Sequence, residues 1–382
     1  MMTLKYRFLR GLAGLAIVPM LAAAPLAHAD GFEDAMKILS DPKLMVTRED
    51  EALRLLNAVG TGHKNAKEAA YNLGLLLQHR GDLQGARAAW QKALSVDPKH
   101  AGSRARLAGL ELANPATAAS AVATLEEIIK EDRFQPDARN LLAAWEIERG
   151  TALLGRDDKT SKAEAQKAFD SAIRHGRNVL LGDPENTHAF LNVAIAYMRQ
   201  GLYDQAGLIA ASAIDKQPKA AALHNVMGLV YLSQDNSRSA TESFLAALAA
   251  DPQNDDARLN LAALELAYGN FDSALKRFDE VLEHRKDDAP VLMSRAVALR
   301  GLGRYDEAER GYLAAQALDK NNADIDYNLC VLHQQYTQKY EEAKRWCETY
   351  LGRIDKTHSK HAEVTRRVKS VDATLKALKK LP

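Results

Sequence analysis

The sequence is poor in the residues that usually build active sites. Its 382 residues include two cysteines and eleven scattered histidines, and aromatic side chains make up 6%. It has no His-Glu-x-x-His, Gly-x-Ser-x-Gly or Walker-type motif, which disfavours metallopeptidases, serine hydrolases and P-loop nucleotidases. With 51 basic and 50 acidic residues the net charge is +1, so no attraction to nucleic-acid phosphates is expected. We predict a non-enzymatic protein without catalytic residues, cofactors, metal sites or a nucleic-acid partner.

Only one long apolar run is present, and it lies at the N-terminus. Three basic residues precede an apolar stretch over 11–27, and 27–29 reads Ala-His-Ala. This order is typical of a secretory signal peptide, here cleaved after Ala29. A membrane anchor is the alternative, disfavoured by two prolines in the stretch. The signal peptide predicts a periplasmic mature protein. Because no cysteine precedes Cys330, this protein is not expected to be a lipoprotein. Removal of 1–29 takes away three basic residues and leaves a net charge of −2.

A short turn pattern recurs along the chain and always ends in alanine. It reads RGDLQGA at 80–86, QGLYDQA at 200–206, YGNFDSA at 268–274 and LGRYDEA at 302–308. Alanines 206, 240, 274 and 308 are separated by 34 residues. A constant interval of this length indicates stacked copies of one supersecondary motif rather than separate globular domains.

Each repeat has the apolar spacing of two helices. In 67–100, Leu73 and Leu77 share a face of the first helix, and Ala86 and Trp90 share a face of the second. Gly74 is small where the two helices approach, and the large Trp90 fills the adjacent space. Asp97-Pro98 ends the second helix.

These residues resemble the tetratricopeptide repeat family. The repeat 221–254 matches the family pattern best, through Met227, Gly228, Tyr231, Ala240, Phe244, Ala247 and Pro252. The resemblance implies an all-α, right-handed superhelical solenoid of helix pairs. Repeats begin near residues 33, 67, 101, 136, 187, 221, 255, 289 and 323.

The predicted organisation follows from these starts. It comprises a signal peptide (1–29), a degenerate helical repeat (30–66), repeats over 67–186 and 187–356, and a C-terminal capping helix (357–382). In the degenerate repeat, Asp41-Pro42 interrupts the first helix and Thr47 is the predicted N-cap of the second. The repeat at 136–186 is enlarged, with Ala143 taken as its small residue, a polar extension around 156–159 and a long second helix over 165–181. This repeat is either a partner-specific ridge or a tolerated insertion.

Cys330 and Cys347 fall on the two facing helices of the last repeat. An oxidising compartment favours a disulfide between them, and two buried thiols are the alternative. His358 and His361 open the capping helix, where solvated side chains are a better interpretation than a metal pair. The eight basic residues of 356–380 could touch an anionic surface weakly, although solvated capping-helix charge is the simpler account.

The family geometry implies that the first helices line a concave groove. Asparagines occupy one position of it, and an amide that both donates and accepts can hold a peptide backbone. Neighbouring side chains would supply apolar anchors. The predicted partner-binding residues are Asn72, Tyr71, Asn192, Leu191, Asn225, Asn260, Leu259, Met293, Asn328 and Tyr327.

We therefore predict a scaffold that binds other envelope or periplasmic proteins and helps assemble an envelope complex for motility, secretion or the cell wall. The overall plan resembles periplasmic tetratricopeptide components of the myxobacterial gliding apparatus. Two alternatives are a structural spacer or self-assembling module with an unused groove, and an enzyme with an unrecognised site.

Overall fold

The computed structural model describes residues 31–156 and 158–379, so the predicted signal peptide lies outside the described residues. The chain divides into an N-terminal unit, 31–234, and a C-terminal unit, 235–379. Helices of the N-terminal unit are α1 Gly31–Ser40, α2 Pro42–Ala58, α3 Ala66–His79, α4 Leu83–Val96, α5 Ala101–Glu111, α6 Ala118–Glu131, α7 Pro136–Leu154, α8 Lys159–Gly182, α9 Thr187–Arg199, α10 Tyr203–Lys216 and α11 Ala221–Ser233. Those of the C-terminal unit are α12 Ser237–Ala250, α13 Asp255–Ala267, α14 Phe271–Leu282, α15 Ala289–Gly301, α16 Tyr305–Leu318, α17 Ala323–Val331, α18 Tyr340–Arg353 and α19 His361–Leu378.

Within each unit, consecutive helices pack as pairs and the pairs stack. No strand occurs in the described residues. The predicted fold class, an all-α solenoid of helix pairs, is therefore confirmed within each unit. None of the described helices combines the length and the apolar character needed to cross a bilayer.

A small residue facing a large one fixes the spacing inside a pair. A Cβ added to Gly74 would lie 2.2 Å from Nε1 of Trp90, whose side chain is fully buried. The indole N–H donates to the carbonyl of Tyr71 at 3.2 Å. The turn after α3 depends on Gly81, whose φ of 79° is a left-handed conformation that a side chain would strain.

The insertions of the enlarged repeat lengthen both of its helices. Helix α7 has 19 residues and α8 has 24, so the predicted long second helix lies within α8. Asp158 begins α8 by accepting from the Ser161 amide at 2.8 Å. The small position differs from the prediction, because Phe169 packs against Gly150 rather than Ala143. A Cβ at Gly150 would lie 2.7 Å from Cε1 of Phe169, two helical turns beyond Ala143.

The last repeat contains one extra residue, which a π-helical turn absorbs. This turn spans Leu332–Tyr336 and follows α17 directly. As a result Ala343 and Cys347, both fully buried, stand one residue later than the 34-residue interval requires. A single π-helical turn is the usual way in which a helix accommodates such an insertion.

The first repeat corrects one expectation. Its second helix begins at Pro42, and Asp41 is the N-cap, accepting from the Lys43 amide at 2.8 Å. Thr47 is not the N-cap, since its hydroxyl donates to the Lys43 carbonyl within the helix. The expected interruption at Asp41-Pro42 is present, because α1 ends at Ser40 and α2 begins at Pro42, and α2 itself has a kink at Arg48 (φ −130°, ψ 21°). A threonine hydroxyl that is bonded to a carbonyl one turn earlier lies inside a helix and does not begin one.

Helix α19 packs on the last repeat. Val364 and Val371 are buried, and Val364 joins Cys330, Cys347 and Tyr350 in one apolar cluster. One ion pair between helices supports this packing. Lys344 of α18 meets Asp372 of α19 at 2.7 Å, whereas Arg367 and Glu363, 2.9 Å apart, pair within α19.

Candidate protein-binding surface

The predicted binding residues lie on the first helices of their repeats, but most are more buried than a groove lining would be. Tyr71, Met293, Tyr327 and Asn328 are half-buried. Six others are buried, namely Asn72, Leu191, Asn192, Asn225, Leu259 and Asn260. The accessible part of the predicted row is therefore mainly aromatic and apolar.

Three of the asparagines use their amide N–H groups inside the chain. Asn72 donates to the Glu68 carbonyl at 2.9 Å, and Asn328 donates to the Asp324 carbonyl at 2.8 Å. Asn192 donates to the carbonyl of Asn140 at 3.2 Å, which links α9 to α7. These side chains thus fasten their own helix or the neighbouring repeat. One amide N–H of each of these asparagines is therefore not available to a bound peptide.

Tyr71 is held in place by a buried polar cluster that spans three repeats. Its hydroxyl donates to Asp137 Oδ2 at 2.7 Å, and Arg106 Nη2 donates to Asp137 Oδ1 at 2.5 Å. Gln135 also donates to Asp137. Burial, followed by the charge of Asp137, raises the pKa of Tyr71 well above its usual value. The hydroxyl therefore stays protonated and fixes the ring.

Sequence reasoning missed Arg106 and Asp137. Tyr71 and Asp137 are 66 residues apart, and no motif joins them. The signal that could have found them is a charged residue on the helix face where other repeats carry asparagine, since Arg106 follows Asn72 by one repeat interval.

Tyr327 occupies the corresponding place in the C-terminal unit. Like Tyr71 it is the fifth residue of its repeat, and its hydroxyl donates to Glu363 Oε1 at 3.1 Å. The Lys360 ammonium lies 3.9 Å from the centre of the Tyr327 ring, within cation–π range. Arg367 donates to Glu363 and to Gln334. The capping helix thus orients a half-buried aromatic ring.

Arg300, on the first helix of the preceding repeat (α15), contacts two residues of the last repeat. Its guanidinium donates to Asn328 Oδ1 at 3.1 Å and lies 5.7 Å from the centre of the Tyr336 ring. Tyr336 is 41% exposed and stands 5.3 Å from Tyr305. Arg300, on the same first helix as Met293, thus lies beside the Tyr336 ring of the π-helical turn, and that ring lies beside Tyr305 at the start of α16. This is the composition that recurs in protein interfaces.

Cys330 and Cys347 form a disulfide, with their Cα atoms 5.0 Å apart. Both are fully buried. Within the described residues, no group of three or more His, Cys, Asp or Glu side chains is placed to hold a metal ion.

Comparison with known proteins identifies the repeats. The profile of the tetratricopeptide repeat matches 67–100, and a second profile of the same name matches 163–230 and 231–298. These segments are tetratricopeptide repeats. Proteins of this family are generally non-catalytic scaffolds for protein interaction, and they bind protein or peptide partners.

Relatives share the repeats over a fraction of their length. The chain is 25% identical over 192 residues to human Protein O-mannosyl-transferase TMTC3, covering 46% of this chain and 20% of that protein. It is 32% identical over 145 residues to Cellulose synthase operon protein C of Pseudomonas fluorescens (strain SBW25), covering 34% and 11%. The chain therefore spans a fifth or less of these relatives. A solved structure of the APC/C hetero-tetramer Cut9-Hcn1 aligns with a TM-score of 0.48 at 15% identity, over 87% of this chain and 83% of that one.

Proposed function

We propose that this protein is a non-catalytic periplasmic scaffold that binds extended segments of envelope proteins along the first helices of its repeats. One observation carries the proposal. Tyr71 and Tyr327 stand at the same repeat position in the two units, both half-buried, and each hydroxyl is held by a carboxylate, Asp137 or Glu363. Aromatic rings fixed before binding lose little conformational freedom when a partner arrives, so they favour affinity.

The envelope location rests on the sequence of 1–29, and the assembly role rests on the repeats. Membership of a gliding apparatus remains a prediction from the overall plan of the sequence. Fractionation of the source bacterium, with N-terminal sequencing of the recovered protein, tests the location. A mature chain beginning at Asp30 in the periplasmic fraction is the expected result, and a cytoplasmic chain that retains residues 1–29 would contradict it.

Photo-crosslinking tests the binding surface directly. A photoreactive residue at Met293, which is half-buried on α15, should capture partner proteins in the native envelope. The matched control is the same residue at Leu208, which is 73% exposed on the second helix α10. Crosslinks from position 293 that are lost with Tyr327→Ala support the proposal. Equal or stronger capture at 208 would reject the first-helix surface.

The alternative, a structural spacer with an idle groove, has support from the asparagines. Asn72, Asn192 and Asn328 each donate an amide N–H to a backbone carbonyl of the chain, as side chains with a purely structural role would. The same experiment separates the two functions. A spacer should give no crosslinks at 293, and substitution of Tyr71 or Tyr327 should leave its assembly unchanged.

A further inference from the structure

Three repeats carry an arginine as the fourth residue of their first helix, namely Arg104, Arg139 and Arg258. Two of them are neutralised by carboxylates. Arg104 pairs with Glu131 at 2.7 Å and with Glu127 at 3.4 Å. Arg258 pairs with Asp255 and with Glu280, both at 3.0 Å.

Arg139 has the same backbone anchor as Arg258 but lacks the carboxylates. Arg139 donates to the Arg133 carbonyl, as Arg258 donates to the carbonyl of Pro252, six residues earlier in each case. Arg139 is buried, with an exposed fraction of 8%. Among the described residues no ion pair with Arg139 is formed, and its other partner is His175, whose Nδ1 lies 3.3 Å from Nη1.

The enlarged repeat explains this difference. Because α7 is about two turns longer and α8 about three turns longer than ordinary repeat helices, a later residue of α8 faces the start of α7. That residue is His175, where the shorter repeats present Glu127 or Glu280. A buried guanidinium that no carboxylate contacts is costly, so this position favours the binding of an anion.

Most of the neighbouring charges are positive, the exception being Asp132. Exposed Arg133 and Arg174 flank the pair, and Asp132 is the acid that acts on Arg139. Burial, together with Arg133, lowers the pKa of Arg139. Burial, then Arg139 and Arg174, lowers the pKa of His175 to about 4. His175 is therefore neutral at pH 7, and its Nδ1 can accept from Arg139.

We propose that Arg133, Arg139, Arg174 and His175 form a binding site for a carboxylate supplied by an acidic side chain of a protein partner. The ligand class follows from the sibling repeats, where glutamate oxygens contact the equivalent arginine. A guanidinium holds a carboxylate through two parallel hydrogen bonds, which an isolated lysine cannot do. The source of the carboxylate rests on the proposed scaffold function, whereas the site shares no residue with the surface that includes Tyr71 and Tyr327.

The test uses the full chain and two peptides, hexaglutamate and hexaglutamine. Isothermal titration should show binding of hexaglutamate only, and NMR should show the pKa of His175 rising when that peptide binds. Arg139→Met should weaken binding at least tenfold. The matched control, Arg104→Met, removes an equivalent arginine that already has carboxylates and should leave binding unchanged.

A second variant covers the case in which Arg139→Met unfolds. Arg133→Ser combined with Arg174→Ser changes only exposed side chains and should weaken hexaglutamate binding severalfold. Equal binding by both variants and the wild type would overturn the proposal. So would a rise in the His175 pKa with inorganic phosphate but not with hexaglutamate. Tyr71→Ala should retain hexaglutamate binding, so a failure of the first-helix surface is distinguishable from a failure of this site.

Discussion

Cys330 and Cys347 occupy the two positions at which other repeats place a small residue against a large one. Cys330 is the eighth residue of its repeat, as Gly74 is, and Cys347 corresponds to Trp90 once the extra residue of the last repeat is allowed for. Their Cα atoms are 5.0 Å apart. The last repeat therefore replaces a packing contact with a covalent one, at the point where α17 meets α18.

Loss of this bond should loosen the last repeat selectively. The cysteines are 17 residues apart, and closing a loop of that size stabilises a fold by about 3 kcal/mol. In Cys330→Ala/Cys347→Ala, hydrogen exchange of the α17 and α18 amides should accelerate, while α3 and α4 stay unchanged. Denatured, unreduced wild-type protein should show no free thiol. Two reactive thiols per chain would contradict the bond.

Gly74→Ala should destabilise the N-terminal unit. Its Cβ would lie 2.2 Å from Trp90 Nε1, and such overpacking costs about 1–3 kcal/mol. The control is Gly352→Ala, where no atom lies within 4 Å of the added Cβ and helix propensity favours alanine. Urea unfolding monitored by tryptophan fluorescence measures the free energy of unfolding of both variants. A neutral Gly74→Ala would show that the helices can separate without cost.

Asp256 should make stability fall as pH rises. Burial, with a contribution from Asp255, raises the pKa of Asp256 to about 6, so the folded state holds this proton more tightly than the unfolded state. The stabilisation is complete below about pH 4 and lost as pH rises through 6. Asp256→Asn should therefore gain on the order of 2 kcal/mol at pH 8 and little at pH 4.

The neighbouring Asp255→Asn is the control for that pH dependence. Asp255 accepts from Arg258 at 3.0 Å and from His284 at 2.8 Å, so its loss should lower stability at pH 8. Thermal unfolding at a series of pH values distinguishes the two variants. Equal pH profiles for wild type and Asp256→Asn would exclude the raised pKa.

The capping helix should act through its apolar face rather than its charge. Val364 is fully buried beside Tyr350, and Val364→Ala should cost about 1–3 kcal/mol. Replacing exposed Arg366, Lys369 and Lys376 by glutamine should leave the melting temperature within a degree or two. If that triple variant instead lost envelope association at unchanged stability, the basic residues would serve as a surface contact.

Much of the fold could be predicted because each repeat is a local structure. The 34-residue interval, the pairing of Gly74 with Trp90 and the long α8 depend on residues close in sequence, whose spacing determines which helix faces meet. The asparagine row was harder to interpret, since sequence places Asn192 on a face but does not reveal its bond to Asn140. The same limit applies to Asp137, because its partners belong to other repeats.

The sequence by itself determined the helix pairs, their number and the close approach inside each pair, because hydrophobic periodicity and residue size act over one repeat. Only the tertiary structure decided that Gly150 rather than Ala143 receives Phe169, and that Arg139 faces His175 where its siblings face glutamates. Both outcomes depend on how far two lengthened helices extend past each other. That offset is set by packing between helices and is not encoded in the spacing of either helix alone.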